Sequence, residues 1–212
     1  MIKNVLFDLD GTLIDTTDGV LESVRFTIDK MQLVELKKEE LLGFIGPPIY
    51  ESFRKAYGLS DVEAQRATDI FRGYYKDNAL YNANVYNGVI NLLQTLINKG
   101  TNIGVATYKR EDYALKILHY FCIDRYCEVM HGADNNNKLK KADIITRCVE
   151  ELGATTQETI FIGDTEYDYV GARAADVPFV GVTYGFGFKK TDRVIRPELR
   201  LVDDPMEIIS VL

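Results

Sequence analysis

Six short apolar runs punctuate this chain, at Lys3–Phe7, Asn102–Ala106, Glu128–His131, Thr159–Ile162, Pro178–Val182 and Leu199–Val202. Helical patterns at Val89–Lys99, Arg110–Phe121, Lys141–Leu152 and Tyr167–Ala175 separate the first five, with Gly100 and Gly153 as stops. Apolar runs of this length, bounded by turn residues, read as strands buried on both faces. Strands alternating with helices predict an α/β fold, a doubly wound parallel sheet covered on both sides. All strands of such a sheet end on one edge, and ligands bind there. The residues that follow each run are therefore where chemistry is to be sought.

The interval from Thr16 to Tyr86 breaks the alternation. It has no convincing strand and four helical stretches, Gly19–Met31, Lys37–Leu42, Ile49–Tyr57 and Ser60–Lys76, the last opened by a Ser60/Glu63 capping box. The 212 residues suffice for one core domain and a small insert. The expected organisation is a core of residues 1–15 and 87–212 with an all-helical insert at 16–86. Asn135-Asn136-Asn137 marks a loop.

Composition narrows the function classes. With 25 Lys and Arg against 32 Asp and Glu, the net charge is −7, unsuited to tracking a nucleic-acid backbone. An anionic ligand would have to be held locally, by a metal or a few placed cations. The three cysteines, Cys122, Cys127 and Cys148, form no C-x-x-C pair, which predicts reduced thiols in a cytoplasmic protein. The N-terminus reaches Asp8 without a long apolar segment, unlike a signal peptide. The uncharged stretch Asn78–Asn98 carries six asparagines, too polar to span a membrane.

Four groups of residues fall at the predicted strand ends. Asp8-Leu9-Asp10-Gly11-Thr12 follows the first strand, and carboxylates two apart in extended chain point the same way. Thr107, within Val105-Ala106-Thr107-Tyr108-Lys109, brings a hydroxyl to the end of the second, suited to a phosphate oxygen. Lys141 opens a helix, where a cation beside free N–H groups suits an anion, although Lys138 and Lys140 compete for that place. Gly163-Asp164-Thr165-Glu166-Tyr167-Asp168 sets two carboxylates one helical turn apart, and Asp164 could also cap that helix. Asp8, Asp10, Asp164 and Asp168 converging at one edge would repel one another without a divalent cation, and hard oxygen donors favour Mg2+. His119 and His131 lack spaced partners, and Gly185-Phe186-Gly187 is no dinucleotide fingerprint but a loop beside the site.

Taken together, the four groups resemble the motifs of the haloacid dehalogenase superfamily of aspartate-dependent phosphatases, in order and over nearly the whole chain. Phe44-Ile45-Gly46-Pro47-Pro48, Lys140-Lys141-Ala142-Asp143-Ile144-Ile145 and Gly181-Val182-Thr183-Tyr184-Gly185-Phe186-Gly187 resemble the phosphoglycolate phosphatase-like branch. The resemblance implies a Mg2+-dependent phosphomonoester hydrolase acting on a small metabolite, phosphoglycolate first and a nucleoside monophosphate second. It implies Asp8 as nucleophile, forming an aspartyl-phosphate, and Asp10 as the group that protonates the leaving alkoxide and deprotonates water. For that, Asp10 is expected neutral on substrate arrival, through repulsion within the acidic cluster. Mg2+ would be held by Asp8, Asp164 and the backbone carbonyl of Asp10, with Asp168 in direct or water-mediated support. Thr107, the Tyr108 backbone and Lys141 would bind the phosphoryl group; Tyr108 stands where relatives often carry Asn or Ser. The helical insert resembles the family's small cap, in which Gly46, Tyr50 and Arg54 are the candidates for substrate selectivity and Pro48 opens a helix.

A phospho-accepting receiver domain also carries phosphate on an aspartate, but the insert and Asp10 argue against it. A dehalogenase lacks the acid at the Asp10 position, an inactive scaffold is at odds with a full set of acids, and a phosphomutase shares every core motif. The expected partner is a small phosphomonoester, with neither nucleic acid nor membrane, and the chain is expected to be a monomer or homodimer.

Overall fold

The computed structural model describes residues 1–135 and 138–212. The expected Asn136–Asn137 part of the loop lies outside the described residues. Two compact units are present: Met1–Ile14 with Val85–Leu212, and Asp15–Asn84.

The first unit is built on a six-stranded sheet of order β5-β4-β1-β6-β7-β8. Its strands are β1 (Asn4–Phe7), β4 (Asn102–Arg110), β5 (Val129–Ala133), β6 (Thr159–Gly163), β7 (Phe179–Val182) and β8 (Leu201–Val202). Every pairing is parallel. The helices between them are α5 (Val89–Asn98), α6 (Glu111–Tyr120), α7 (Lys141–Glu151) and α8 (Glu166–Ala174). Leu6, Ala106, Val129 and Phe161 form one core cluster with Ile144, Ile145, Cys148 and Val149 of α7 and Ala172 of α8. The alternate residues Val5, Phe7, Ile103, Val105 and Ile162 are fully buried as well. Both faces of the central strands are therefore covered, as the unbroken apolar runs require. The chain fills one side of β1 with β4 and β5 and then crosses to β6 on the other, which makes the C-terminal end of β1 the switch point of the sheet.

The register puts the ends of three strands level. Phe7 lies opposite Val105 on one side and Ile162 on the other. Strand β4 runs past its expected end at Ala106 to Arg110, with a register irregularity between those two residues. Arg110 is thus the end of a strand, not the start of a helix; the apolar run stops at Ala106, and the polar extension carries no such signal.

The chain passes between the units through two-residue strands, β2 (Ile14–Asp15) and β3 (Asn84–Val85), too short to leave an alternation pattern in the sequence. The second unit contains α1 (Thr17–Lys30), α2 (Lys38–Leu42), α3 (Ile49–Tyr57) and α4 (Asp61–Tyr74), followed by a π-helical turn at Tyr75–Ala79. Ser60 caps α4 as expected: its hydroxyl accepts the Glu63 N–H at 3.4 Å, and Glu63 accepts the Ser60 N–H at 3.0 Å. The unit buries Val24, Ile28, Phe53, Ala64, Ala67 and Phe71, with the Phe44 and Phe53 rings edge to face at 4.9 Å. Among the short elements without a sequence expectation are α9 (Asp192–Ile195) and the 3-10 helix Pro205–Val211. The three cysteines are free, and no helix among the described residues is long and apolar enough to cross a membrane.

Phe161 ties the sheet to α7 and α8. Truncation to alanine should cost about 3–5 kcal/mol, read as a lower denaturant midpoint with an unchanged slope; a loss below 1 kcal/mol would mean that this cluster does not hold the unit together.

Candidate active site

Asp8 is the first residue past β1. Its N–H still donates to the Ile162 carbonyl at 2.8 Å, so the backbone is held in the sheet while the side chain projects from its edge. The chain then turns tightly. The Leu9 carbonyl accepts the N–H groups of Leu13 and Ile14, both at 3.0 Å, and Gly11 N–H donates to Ile14. Gly11 sits at φ +85°, and a Cβ there would lie 2.3 Å from Asp164 Oδ2. Both the left-handed backbone and the close carboxylate demand glycine.

Asp164 follows β6, beside β1. Its Oδ2 accepts the Phe186 N–H at 2.7 Å, and its own carbonyl accepts the Phe188 N–H at 2.8 Å. The loop that supplies these donors approaches so closely that a Cβ on Gly185 would lie 2.5 Å from the Asp164 carboxylate. Asp164 does not cap α8; that position belongs to Thr165, whose N–H and hydroxyl donate to Asp168 Oδ2 at 3.0 and 2.7 Å. Asp168 Oδ1 faces the other way, toward Lys141.

Lys141, the first residue of α7, is 2% exposed, whereas Lys138 and Lys140 are exposed. Its Nζ lies 2.6 Å from Asp8 Oδ1 and 2.8 Å from Asp168 Oδ1. Burial by itself would lower the Lys141 pKa, but the Asp168 and Asp8 carboxylates more than offset it and hold the ammonium charged. Burial pushes the Asp8 carboxyl up to about 7, against the pull of Lys141 and with added repulsion from Asp168 and Asp10. Asp164 is raised well above the ordinary carboxylate range, by burial first and then by Asp168 and Asp8, against the backbone donors Phe186 and Gly187.

Asp8, Asp164 and Asp168 each offer an oxygen within 4.8 Å of the others. With all three carboxyls ionised, one ammonium among them leaves two negative charges, which a divalent cation would balance. The fully buried Oδ1 of Asp164 has no hydrogen-bond partner. A buried carboxylate oxygen left bare is costly unless a cation takes it up. The donors are all oxygen, so the residues present fit a hard divalent ion.

The fourth expected acid differs. Asp10 is near enough to Asp8 to repel it, but its carboxylate is paired with Lys109, whose Nζ lies 3.0 Å from Oδ1 and 3.2 Å from Oδ2. Asp10 thus meets a cation as well as the neighbouring acids. The sequence assigns Lys109 no role, because nothing in a lysine two residues after a strand-end threonine says where its amine reaches. Thr107 is 1% exposed, and its Oγ1 accepts the Lys109 N–H at 3.1 Å. Tyr108 sets its ring edge to face with Tyr167 at 6.1 Å, with the Lys141 ammonium 5.6 Å from its centroid.

Gly46, Tyr50 and Arg54 lie in the second unit. Gly46 has φ +98°, and Pro48 precedes the first turn of α3. The Tyr50 hydroxyl and Arg54 Nε both engage Asp61 Oδ1, at 3.1 and 3.2 Å, in an exposed cluster.

The family model for haloacid dehalogenase-like hydrolases matches residues 5–182. A curated 5'-nucleotidase of Pseudomonas aeruginosa is 32% identical over 195 residues, covering 92% of this chain and 88% of that protein. A phosphoglycolate phosphatase of Shigella boydii is 28% identical over 221 residues, covering 93% and 88%. The crystal structure of a predicted phosphatase from Clostridium acetobutylicum superposes with a TM-score of 0.92 at 33% identity, covering all of both chains. The chain belongs to the haloacid dehalogenase-like hydrolase family, as an enzyme of its phosphatase group.

Proposed function

We propose that the protein is a magnesium-dependent phosphomonoester hydrolase that works through an aspartyl-phosphate on Asp8. The observation that carries this reading is the buried set Asp8, Asp164, Asp168 and Lys141, with one carboxylate oxygen unpartnered. Asp8, Asp164, the backbone carbonyl of Asp10 and, directly or through water, Asp168 would hold Mg2+. When bound, the ion offsets the charge that otherwise keeps a phosphate ester away from a carboxylate.

In the first step an Asp8 carboxylate oxygen bonds to phosphorus while the ester P–O bond breaks. Asp10 gives its proton to the departing oxygen, and the alcohol leaves. In the second step Asp10 takes a proton from water, whose oxygen bonds to phosphorus; the bond to Asp8 breaks and inorganic phosphate leaves. Thr107 and the Tyr108 backbone N–H bind phosphoryl oxygens, and Lys141 balances their charge. The helical unit, residues 15–84, acts as the cap that excludes water and selects the substrate, with Gly46, Tyr50 and Arg54 as its candidate contacts. Phosphoglycolate is the first substrate to test, and the Shigella boydii relative supports it. A nucleoside monophosphate is the second, supported by the Pseudomonas aeruginosa relative. A screen of phosphoglycolate, sugar phosphates and nucleotides, with and without Mg2+, tests the reading; no turnover of any ester would end it.

Asp8→Asn should abolish turnover while leaving the circular dichroism spectrum unchanged, and normal activity in that variant would remove Asp8 as nucleophile. Asp10→Asn should slow turnover by about a hundredfold or more; a rate equal to the parent's would mean that another group moves the proton.

Magnesium binding should also be visible in stability. Asp8, raised from 3.8 to about 7, keeps its proton in the folded metal-free protein over a range where the unfolded chain has lost it. Its contribution therefore weakens as pH rises through that window, and Asp164 acts in the same sense. Cation binding must displace these protons. The rise in Tm on adding Mg2+ should be larger above pH 7 than below it; an increment independent of pH would show that these carboxylates do not hold the ion.

A further inference from the structure

We infer that Lys109 is a positioning residue that holds the Asp10 carboxylate in the orientation needed to pass its proton, an inference that rests on the proton-transfer role proposed above for Asp10. The backbone of Asp10 is fixed by the turn at Leu9–Ile14, in which Gly11 N–H donates to Ile14 and Leu9 accepts three N–H groups. That leaves the side-chain torsions. A carboxylate at a strand end, 15% exposed and without a directing partner, would sample several rotamers. Lys109 removes that freedom. Its side chain is only 7% exposed, and its ammonium meets both Asp10 oxygens, at 3.0 and 3.2 Å.

The placement follows from the fold. Strands β1 and β4 are neighbours in register, so the segments leaving them run side by side. The register irregularity of β4 between Ala106 and Arg110 re-aims the side chains within it. Thr107 Oγ1 accepts the Lys109 N–H at 3.1 Å and fixes where the lysine stem starts. One residue thus bridges the strand-end threonine and the acid on the adjoining turn.

An ammonium is a donor with no acceptor capacity. With Asp10 ionised it can serve both oxygens. With Asp10 protonated it can stay on the carbonyl oxygen and leave the hydroxyl on the other. The carboxyl plane then keeps its orientation while the proton moves to the leaving oxygen in the first step and is taken from water in the second.

An acid matters most when the leaving group is poor, and this separates positioning of Asp10 from other roles. The test compares kcat and KM of the parent, K109M, K109R and D10N on ethyl phosphate and on dinitrophenyl phosphate, with Tm and Mg2+ affinity measured for each. Methionine keeps the buried stem without the charge, and K109Q is read in its place if K109M does not fold. The loss in kcat for K109M should be about tenfold or more greater on the alkyl ester than on the aryl ester. KM and Mg2+ affinity should stay near the parent's, and K109R should recover part of the loss. Equal losses on both esters, or a loss in KM alone, would overturn the inference, since Lys109 would then act on binding or on the fold. If D10N shows the dependence on leaving group and K109M does not, only the role of Lys109 falls. If D10N lacks it, the reading of Asp10 falls and Lys109 with it.

Discussion

The site depends on one buried ammonium. Lys141 lies within 2.8 Å of two carboxylates, that of Asp8 just past β1 and that of Asp168 in the first turn of α8. Bringing three carboxyl groups into a dry pocket is unfavourable for each of them, and the direction in which Asp8 and Asp164 are shifted records that. Lys141 relieves part of the repulsion and leaves the rest unbalanced. A protein selected for stability alone would be better served by apolar side chains there. The residual charge and the bare Asp164 oxygen instead suit the pocket to a cation.

Such a cluster has to be packed by chain that brings donors without bulk. The segment around Gly185 does this. Its backbone N–H at Phe186 binds one oxygen of Asp164, and the absence of a Cβ at Gly185 lets the main chain pass against the carboxylate. Gly11 makes the matching approach from the first strand end. With one Asp164 oxygen taken by a backbone donor, the carboxylate has a defined plane, and the remaining oxygen is presented in one direction. Orientation of this kind is how outer contacts tune metal ligands.

Much of the fold was legible because each signal is local. An apolar run of four or five residues with a turn behind it is a strand wherever it occurs, and β1, β6 and β7 fall where those runs are. The expectations went astray at the open edge of the sheet. There β4 continues through Lys109 and Arg110, whose polar side chains interrupt the apolar run that marks the rest of the strand. Two-residue strands such as β2 and β3 carry too few side chains to leave a period at all. Within the site, Asp8, Asp10, Thr107 and Asp164 were readable as residue types placed after strands, and Lys141 and Asp168 as residues at helix starts. Lys109 and the Phe186 N–H were not, since a flexible lysine and a backbone amide have no sequence signature of their own.

The sequence alone determined where the six strands of the main sheet begin, that they lie parallel, and hence which residues stand near one edge. Short-range sterics and the burial of apolar runs suffice for that. The tertiary structure decided which of those residues meet. Lys141 reaches Asp8 across 133 positions, and Lys109 reaches Asp10 across 99. Those meetings follow from strand order and register, which are properties of the whole packed sheet. For the same reason one lysine of three adjoining candidates is buried among acids while Lys138 and Lys140 stay in water.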